Sequence, residues 1–254
     1  MKNKFLLAFV LSSFLCGSIT HAGNMGASVK LWQPVIGLGG GISSSYNLGR
    51  VQTFPILNPI TDEFYIYSNQ HRAQTKGLFE AFLGFEHLLY SNWLLQAGLA
   101  YDQAGSFKTN GTLTQGADEP SSNQYHYQFK TVTRQVLAQA KLMHPYRNTF
   151  YPYMLLGLGG SINSSSEFST SVPQFLTFTR EYRHNTSRSF AFRVGAGIDV
   201  AVAPQVRLGI GYRFAGLGKL SLGSASIDGI HVAGTLSQPN LYANEVLIQL
   251  TSII

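Results

Sequence analysis

Residues 190–216 read FAFRVGAGIDVAVAPQVRLGIGYRFAG, and their alternation decides the fold. Phe190, Phe192, Val194, Ala196, Ile198 and Val200 share one parity; Arg193, Gly195, Gly197 and Asp199 share the other. Beyond Pro204 the pattern resumes, with Val206, Leu208, Ile210, Tyr212 and Phe214 set against Arg207, Gly209, Gly211 and Arg213. Side chains of a strand point to opposite faces with period two, so each half is a strand with one apolar face. No helix gathers these residues on one side. A tight turn centred on Ala203 sets Asp199 opposite Arg207, a favourable cross-strand pair. It also sets Arg193 opposite Arg213, which requires an acid between them.

The same rule runs through the chain. Residues 93–101 alternate Trp93, Leu95, Ala97, Leu99 and Tyr101 against Gln96, Gly98 and neighbours. Weaker alternation covers segments around Leu38, Leu83, Ala138, Leu156 and Ile248, which makes eight segments in all. Three connections are short (87–91, 143–149, 201–204). Four are long and polar (about 47–75, 104–124, 164–187, 215–241). Short turns at one end and long loops at the other are the pattern of an outer-membrane barrel. The fold expected is therefore all-β: an eight-stranded antiparallel up-and-down transmembrane β-barrel with four long extracellular loops. A soluble sandwich or lipocalin-like barrel would carry the same alternation, but its solvent face would hold more Lys and Glu. Within the last loop, residues 219–227 and 230–236 could pair as an additional hairpin.

FEAFLGFEHLLYSNWLLQAGLAYDQAG (79–105) matches 190–216 without a gap, and IGLGGGIS (36–43) resembles LGLGGSIN (156–163). Ungapped repetition across a whole hairpin implies two four-strand halves in the same register.

The N-terminus reads as an export signal. Lys2 and Lys4 precede an apolar run from Phe5 to Leu15, and Thr20-His21-Ala22 offers small residues for cleavage after Ala22. The expected organisation is a signal peptide at 1–22 and a barrel domain at 23–254. Cys16, the only cysteine, lies in the signal after a bulky Leu15, against lipidation, so the exported chain has no disulfide or cysteine-based zinc site.

With the apolar parity facing lipid, the lumen holds Glu80, Glu86, Asp102, Asp199 and Glu245 against Lys76, Lys141, Arg193, Arg207 and Arg213. An eight-stranded barrel is only wide enough for its own side chains, and charges buried there must pair. The expected lumen is a plug in which Glu80, Asp102, Arg193, Asp199, Arg207, Arg213 and Glu245 form one charge network, with Glu245 the chief partner of Arg193 and Arg213 and Glu80 or Asp102, across the lumen, the other candidates. The 18 basic residues less Lys2 and Lys4, against 12 acidic ones, leave the exported chain at +4. That surplus falls in loops and strand ends.

No catalytic residue, metal ligand or cofactor site is expected. The six histidines left after cleavage (His71, His87, His126, His144, His184, His231) are expected in loops or turns without a second ligand at metal spacing. No serine stands with a histidine and an acid. GLGGG (37–41) lacks the following helix and Lys-Ser/Thr of a phosphate loop. Export and scattered basic residues argue against nucleic acid despite a pI of 9.4. Arg180, Arg183 and Arg188 form the one local basic cluster, a candidate contact for lipopolysaccharide phosphates, though a solvated loop accounts for it as well.

The signal, the eight segments, the long loops and the terminal strand YANEVLIQLTSII (242–254) together resemble the OmpA-like and opacity-type small barrel superfamily over essentially the whole exported chain. Family terminal strands usually end in Phe or Trp, whereas this one ends in Ile254. The resemblance implies a monomeric outer-membrane surface protein delivered by the barrel-assembly machinery, in contact with outer-membrane lipid and lipopolysaccharide. It also implies loops for adhesion to host surface molecules or other envelope interactions, and no peptidoglycan-binding domain. The competing expectation is a small porin or passive transporter of small or hydrophobic solutes.

Overall fold

The structure, a computed structural model, describes residues 32–46, 50–55, 64–69, 73–89, 92–116, 123–171, 180–227 and 229–254. The export segment, His71 and the loop tips around Asp62, Asp118 and Asp228 lie outside the described residues.

Eight long strands close into an antiparallel ring: β1 (Trp32–Tyr46), β4 (Gln74–Leu88), β5 (Leu94–Gly116), β6 (Asn123–Met143), β7 (Phe150–Thr170), β9 (Asn185–Ala203), β10 (Val206–Ser221) and β13 (Ser237–Ile253). Each pairs with its neighbours in the order given, and β13 returns to β1 with Val35 opposite Ile253 and Tyr46 opposite Tyr242. Closure pairs every strand with both neighbours up to the Phe192–Gly216 level, above which β9 and β10 part; a sheet surrounded by hydrocarbon requires such a ring without an edge. The outer surface is apolar. On β7 alone Met154, Leu156 and Leu158 are exposed, and Leu83, Leu99, Ile210 and Ile248 continue that belt on other strands. Their alternate neighbours are buried in the lumen, as the parity reading required.

Two expectations about register fail. β9 and β10 are joined by a two-residue turn at Pro204-Gln205, followed by a bulge at Val206/Arg207. The ladder therefore runs two residues beyond the expected one. Asp199 faces Gly209, Arg207 faces Ala201, and Arg193 and Arg213 face Ala215 and Gly195. The matching hairpin β4–β5 turns through a longer loop and aligns Gly84 with Gly98, whereas the equivalent Gly195 pairs four residues beyond Gly209. The repeat thus conserves side-chain pattern but not register, because the two turns differ in length. Inward glycines make room for long neighbours: a Cβ at Gly211 would collide with the Tyr153 hydroxyl, and one at Gly195 with Arg213.

Much of the expected loop is folded. The 104–124 connection continues as the β5–β6 hairpin, with Gln115 opposite Asn123. The first long loop forms β2 (Gln52–Pro55) and β3 (Phe64–Asn69), which extend the sheet by pairing β3 with the upper part of β5. A second small sheet joins β8 (Glu181–Tyr182), β11 (Ala225–Ile227) and β12 (Ile230–Val232). The last two are the core of the hairpin expected in the final loop. Three histidines also depart from expectation: His87 lies near the end of β4 and stacks on Trp32, while His126 lies in β6 and His231 in β12; His144 and His184 lie outside strands as expected.

Candidate functional site

The barrel interior has two tiers, one ionic and one apolar. The ionic tier lies within the lipid-facing belt. Arg193 reaches from β9 to Glu80 on β4 at 2.6 Å and also bonds Asp102 on β5. Arg213 on β10 contacts Glu80, donates to Asp102 at 2.9 Å and, through Nε, to Glu245 at 2.7 Å. All five groups are buried. Three carboxylates thus share two guanidiniums, and neutral donors offset the excess negative charge. Gln249 Nε2 donates to Glu80 at 3.0 Å and Ser43 Oγ to Glu245 at 3.1 Å. Gln139 and Gln135 accept from Arg193 at 3.1 and 3.3 Å.

Two smaller pairs sit nearer the short-turn end. Lys141 on β6 donates to Asp199 at 2.6 Å and lies over the Tyr153 ring. Arg207 grips Glu86 with both terminal nitrogens, at 2.5 and 2.9 Å, with Gln96 donating to the same carboxylate at 2.7 Å. Ion pairs thus join five of the seven residues expected in one network, and the other two are held elsewhere. Asp199 is held by Lys141 and Arg207 by Glu86. Glu245 bonds Arg213 alone among the arginines, and Glu80 with Asp102 forms the hub. Lys76 makes no ion pair with a described residue. The Asp199–Arg207 pairing failed with the register from which it came. The Glu86 and Lys141 partnerships cross the lumen between non-adjacent strands, and periodicity carries no signal for them.

The apolar tier closes the long-loop end, and sequence reasoning missed it. Phe107, Leu113, Tyr127, Phe129, Leu217, Leu220, Leu222 and Leu241 are buried there together with Tyr65, Tyr67 and Tyr182 from the small strands. Rings pack edge to face: Tyr67 on Tyr127 at 5.2 Å and on Tyr182 at 5.8 Å, and Phe168 on Tyr182 at 4.9 Å. Burial away from water pushes the Tyr127 phenol up to about 12 and raises those of Tyr67 and Tyr182.

Arg180 belongs to this cap and corrects the expected surface cluster. It is buried, donates to the carbonyls of Ala233 (2.8 Å) and Pro55 (2.7 Å), and lies over the Phe54 ring at 4.7 Å. A guanidinium tying three loops together from inside cannot reach a lipid phosphate. Arg183 and Arg188 are exposed. Within the ionic tier, the hollow beside Glu80, Tyr153, Arg213 and Gln249 measures about 10 Å³, about the least that holds one water. Among the described residues no cluster of His, Cys, Asp and Glu could hold a metal ion.

No protein-family model and no curated protein matches the chain. Solved structures similar to it include Neisserial surface protein A, at 14% identity and TM-score 0.40 over 87% of this chain and 96% of that one. OprG from Pseudomonas aeruginosa gives 12% and 0.42 over 87% and 95%. Ail, the attachment invasion locus protein of Yersinia pestis, gives 10% and 0.35 over 87% and 99%. At such distances the barrel rests on this chain's own closed ring and apolar belt.

Proposed function

We infer that the chain is a bacterial outer-membrane surface protein of the small OmpA-like or opacity type, whose barrel anchors a folded extracellular cap for adhesion or envelope contact and conducts nothing. The observation that carries this reading is the doubly closed lumen: buried ion pairs across the membrane belt, then a dry aromatic tier above them. Ion pairs that bond one another present no sequence of exchangeable sites, and the hollow beside them, about 10 Å³, has room for about one water. Up to the Phe192–Gly216 pair the ladders run unbroken from strand to strand, which leaves a hydrophobic solute no lateral opening at the level of the ion pairs. With nothing to move through it, the barrel's working surface is what it displays.

Refolded protein in planar bilayers should show no steady conductance. A reproducible open channel would sink the closed-barrel reading and favour the porin alternative. Expression in a non-adherent bacterium should confer binding to host cells, and a barrel lacking residues 107–129 should not. Equal attachment by both would remove the cap from the function. Delivery by the barrel-assembly machinery, export through a signal at 1–22 and a monomeric state belong to the same proposal.

A further inference from the structure

One row of outward-facing side chains on three adjacent strands combines two arginines with an apolar notch. Ile162 on β7 is in register with Arg134 on β6 and with Arg188 on β9. Both arginines are exposed, and neither bonds a described residue. Their Cα atoms are two strand spacings apart, roughly 10 Å. Long side chains at that separation can close on one phosphate or take two. The next outward row, one step toward the middle of the belt, is Val136, Gly160 and Phe190. A Cβ on Gly160 would meet only the Ser189 carbonyl, at 3.7 Å, so the row is a notch between walls that are 52% and 66% exposed. The resulting hollow measures about 280 Å³ and takes in both arginines. Across Phe190 a second hollow of about 210 Å³ is lined by Lys219, and no carboxylate lines either one.

We propose that this face binds the phosphorylated glycolipid of the outer leaflet, with phosphate on Arg134 and Arg188 and an acyl chain along the Gly160 notch. The proposal rests on the outer-membrane placement above. Guanidinium matches phosphate as a planar, two-donor fork. Like charges on strands either side of β7 repel unless an anion lies between them, and the row stands where the apolar belt ends, at the height of headgroups. The notch adds a requirement that charge alone would not: the ligand must carry a chain as well as a phosphate. A free anion would need only the arginines.

Binding should be measured on the full exported chain, refolded in detergent, by native mass spectrometry with three probes: bis-phosphorylated lipid A, the same lipid without phosphates, and inorganic phosphate. The phosphorylated lipid should bind, and the phosphate-free form far more weakly. R134Q/R188Q should weaken lipid A binding roughly thirtyfold, about fivefold for each cation facing an anionic surface. G160L should weaken it by filling the notch without touching a charge. R183Q, in the cap, should leave binding unchanged. Circular dichroism must show each variant folded. Equal affinity for the phosphate-free lipid, an unaltered R134Q/R188Q, or competition by inorganic phosphate at concentrations near the lipid's own would each overturn the site. Membrane fractionation of cells tests the placement separately: a chain outside the outer membrane whose purified form still needs Arg134 and Arg188 would overturn the placement and keep the site.

Discussion

The lower and upper halves of this barrel's interior are closed by opposite chemistry. Below, Arg193 and Arg213 hold Glu80, Asp102 and Glu245 at hydrogen-bond distance. Above, Phe107, Leu220 and Tyr127 exclude water with scarcely a charge among them. Ionic closure is brittle: removing one partner leaves others charged and buried, which costs far more than the pair contributed. Apolar closure is graded, because a truncated side chain loses contacts in proportion to the volume removed. The halves also answer to different structures. The lower one is pinned by the continuous ring, whereas the upper one is built from hairpins and small strands able to open locally.

The largest effect should come from the hub. Arg193→Met leaves Arg213 as the one cation on Glu80 and Asp102 and should cost about 3–5 kcal/mol of unfolding free energy in urea titrations of the refolded protein. A loss below about 1 kcal/mol would mean that the buried network behaves like a surface one.

Phe107→Ala should cost about 3 kcal/mol, but locally. Protease should reach the cap of this variant while the spanning ring keeps its urea midpoint, and a parallel drop of both would show that the tiers fold as one unit. Alkali separates them by another route. Because burial raises the Tyr127 phenol to about 12 while an unfolded one ionises near 10, the folded cap retains a proton that the open cap loses. That contribution is intact below pH 10 and is lost as pH rises toward 12. Phenolate absorbance for the cap tyrosines should therefore appear late and together with protease sensitivity; titration of every tyrosine near pH 10 would place the cap in water.

A smaller effect is expected at Glu245. Arg213 keeps Glu80 and Asp102 when this third carboxylate is neutralised, so Glu245→Gln should cost only about 1 kcal/mol, the scale of a single hydrogen bond. A cost equal to that of Arg193→Met would make Glu245 a hub as well.

The sequence was legible as far as strict alternation lasted. Within the belt, parity alone placed Glu80, Asp102, Arg193, Arg213 and Glu245 inside. It failed above the belt because the strands change parity there. On β5 a bulge between Ala104 and Phe107 switches the inward set from Asp102 and Ala104 to Phe107 and Leu113. On β10 irregularities around Gly218, at φ 76°, bring Leu220 inward after Arg213 and Ala215. A one-residue insertion inverts every later side chain, so the apolar cap read as irregular polar loop. Arg180 misled for a related reason: its burial depends on Pro55 and Ala233, carbonyls of other loops.

The third parity change gives the smallest prediction and tests that account. On β7 Glu167 and Phe168 stand where the partner strand supplies Phe129 alone, since Lys130 faces Ser166 and Gln128 faces Ser169. Glu167 takes φ 55°, a left-handed conformation that favours glycine and is the usual first position of such a bulge. The extra residue turns Phe168 toward Tyr182 and Tyr127. Glu167 also pairs with Lys130, but side chains 38% and 61% exposed make that pair worth at most about 1 kcal/mol. Glu167→Gly loses the pair and relieves the backbone, two effects of similar size and opposite sign, so stability should change by less than about 0.5 kcal/mol. Glu167→Val loses the pair and adds a β-branched side chain where φ is positive, and should cost roughly 1–3 kcal/mol more. Cap protease sensitivity should follow the same order: unchanged for Gly, raised for Val. If Gly proved as damaging as Val, the ion pair and not the bulge would be holding Phe168 in place.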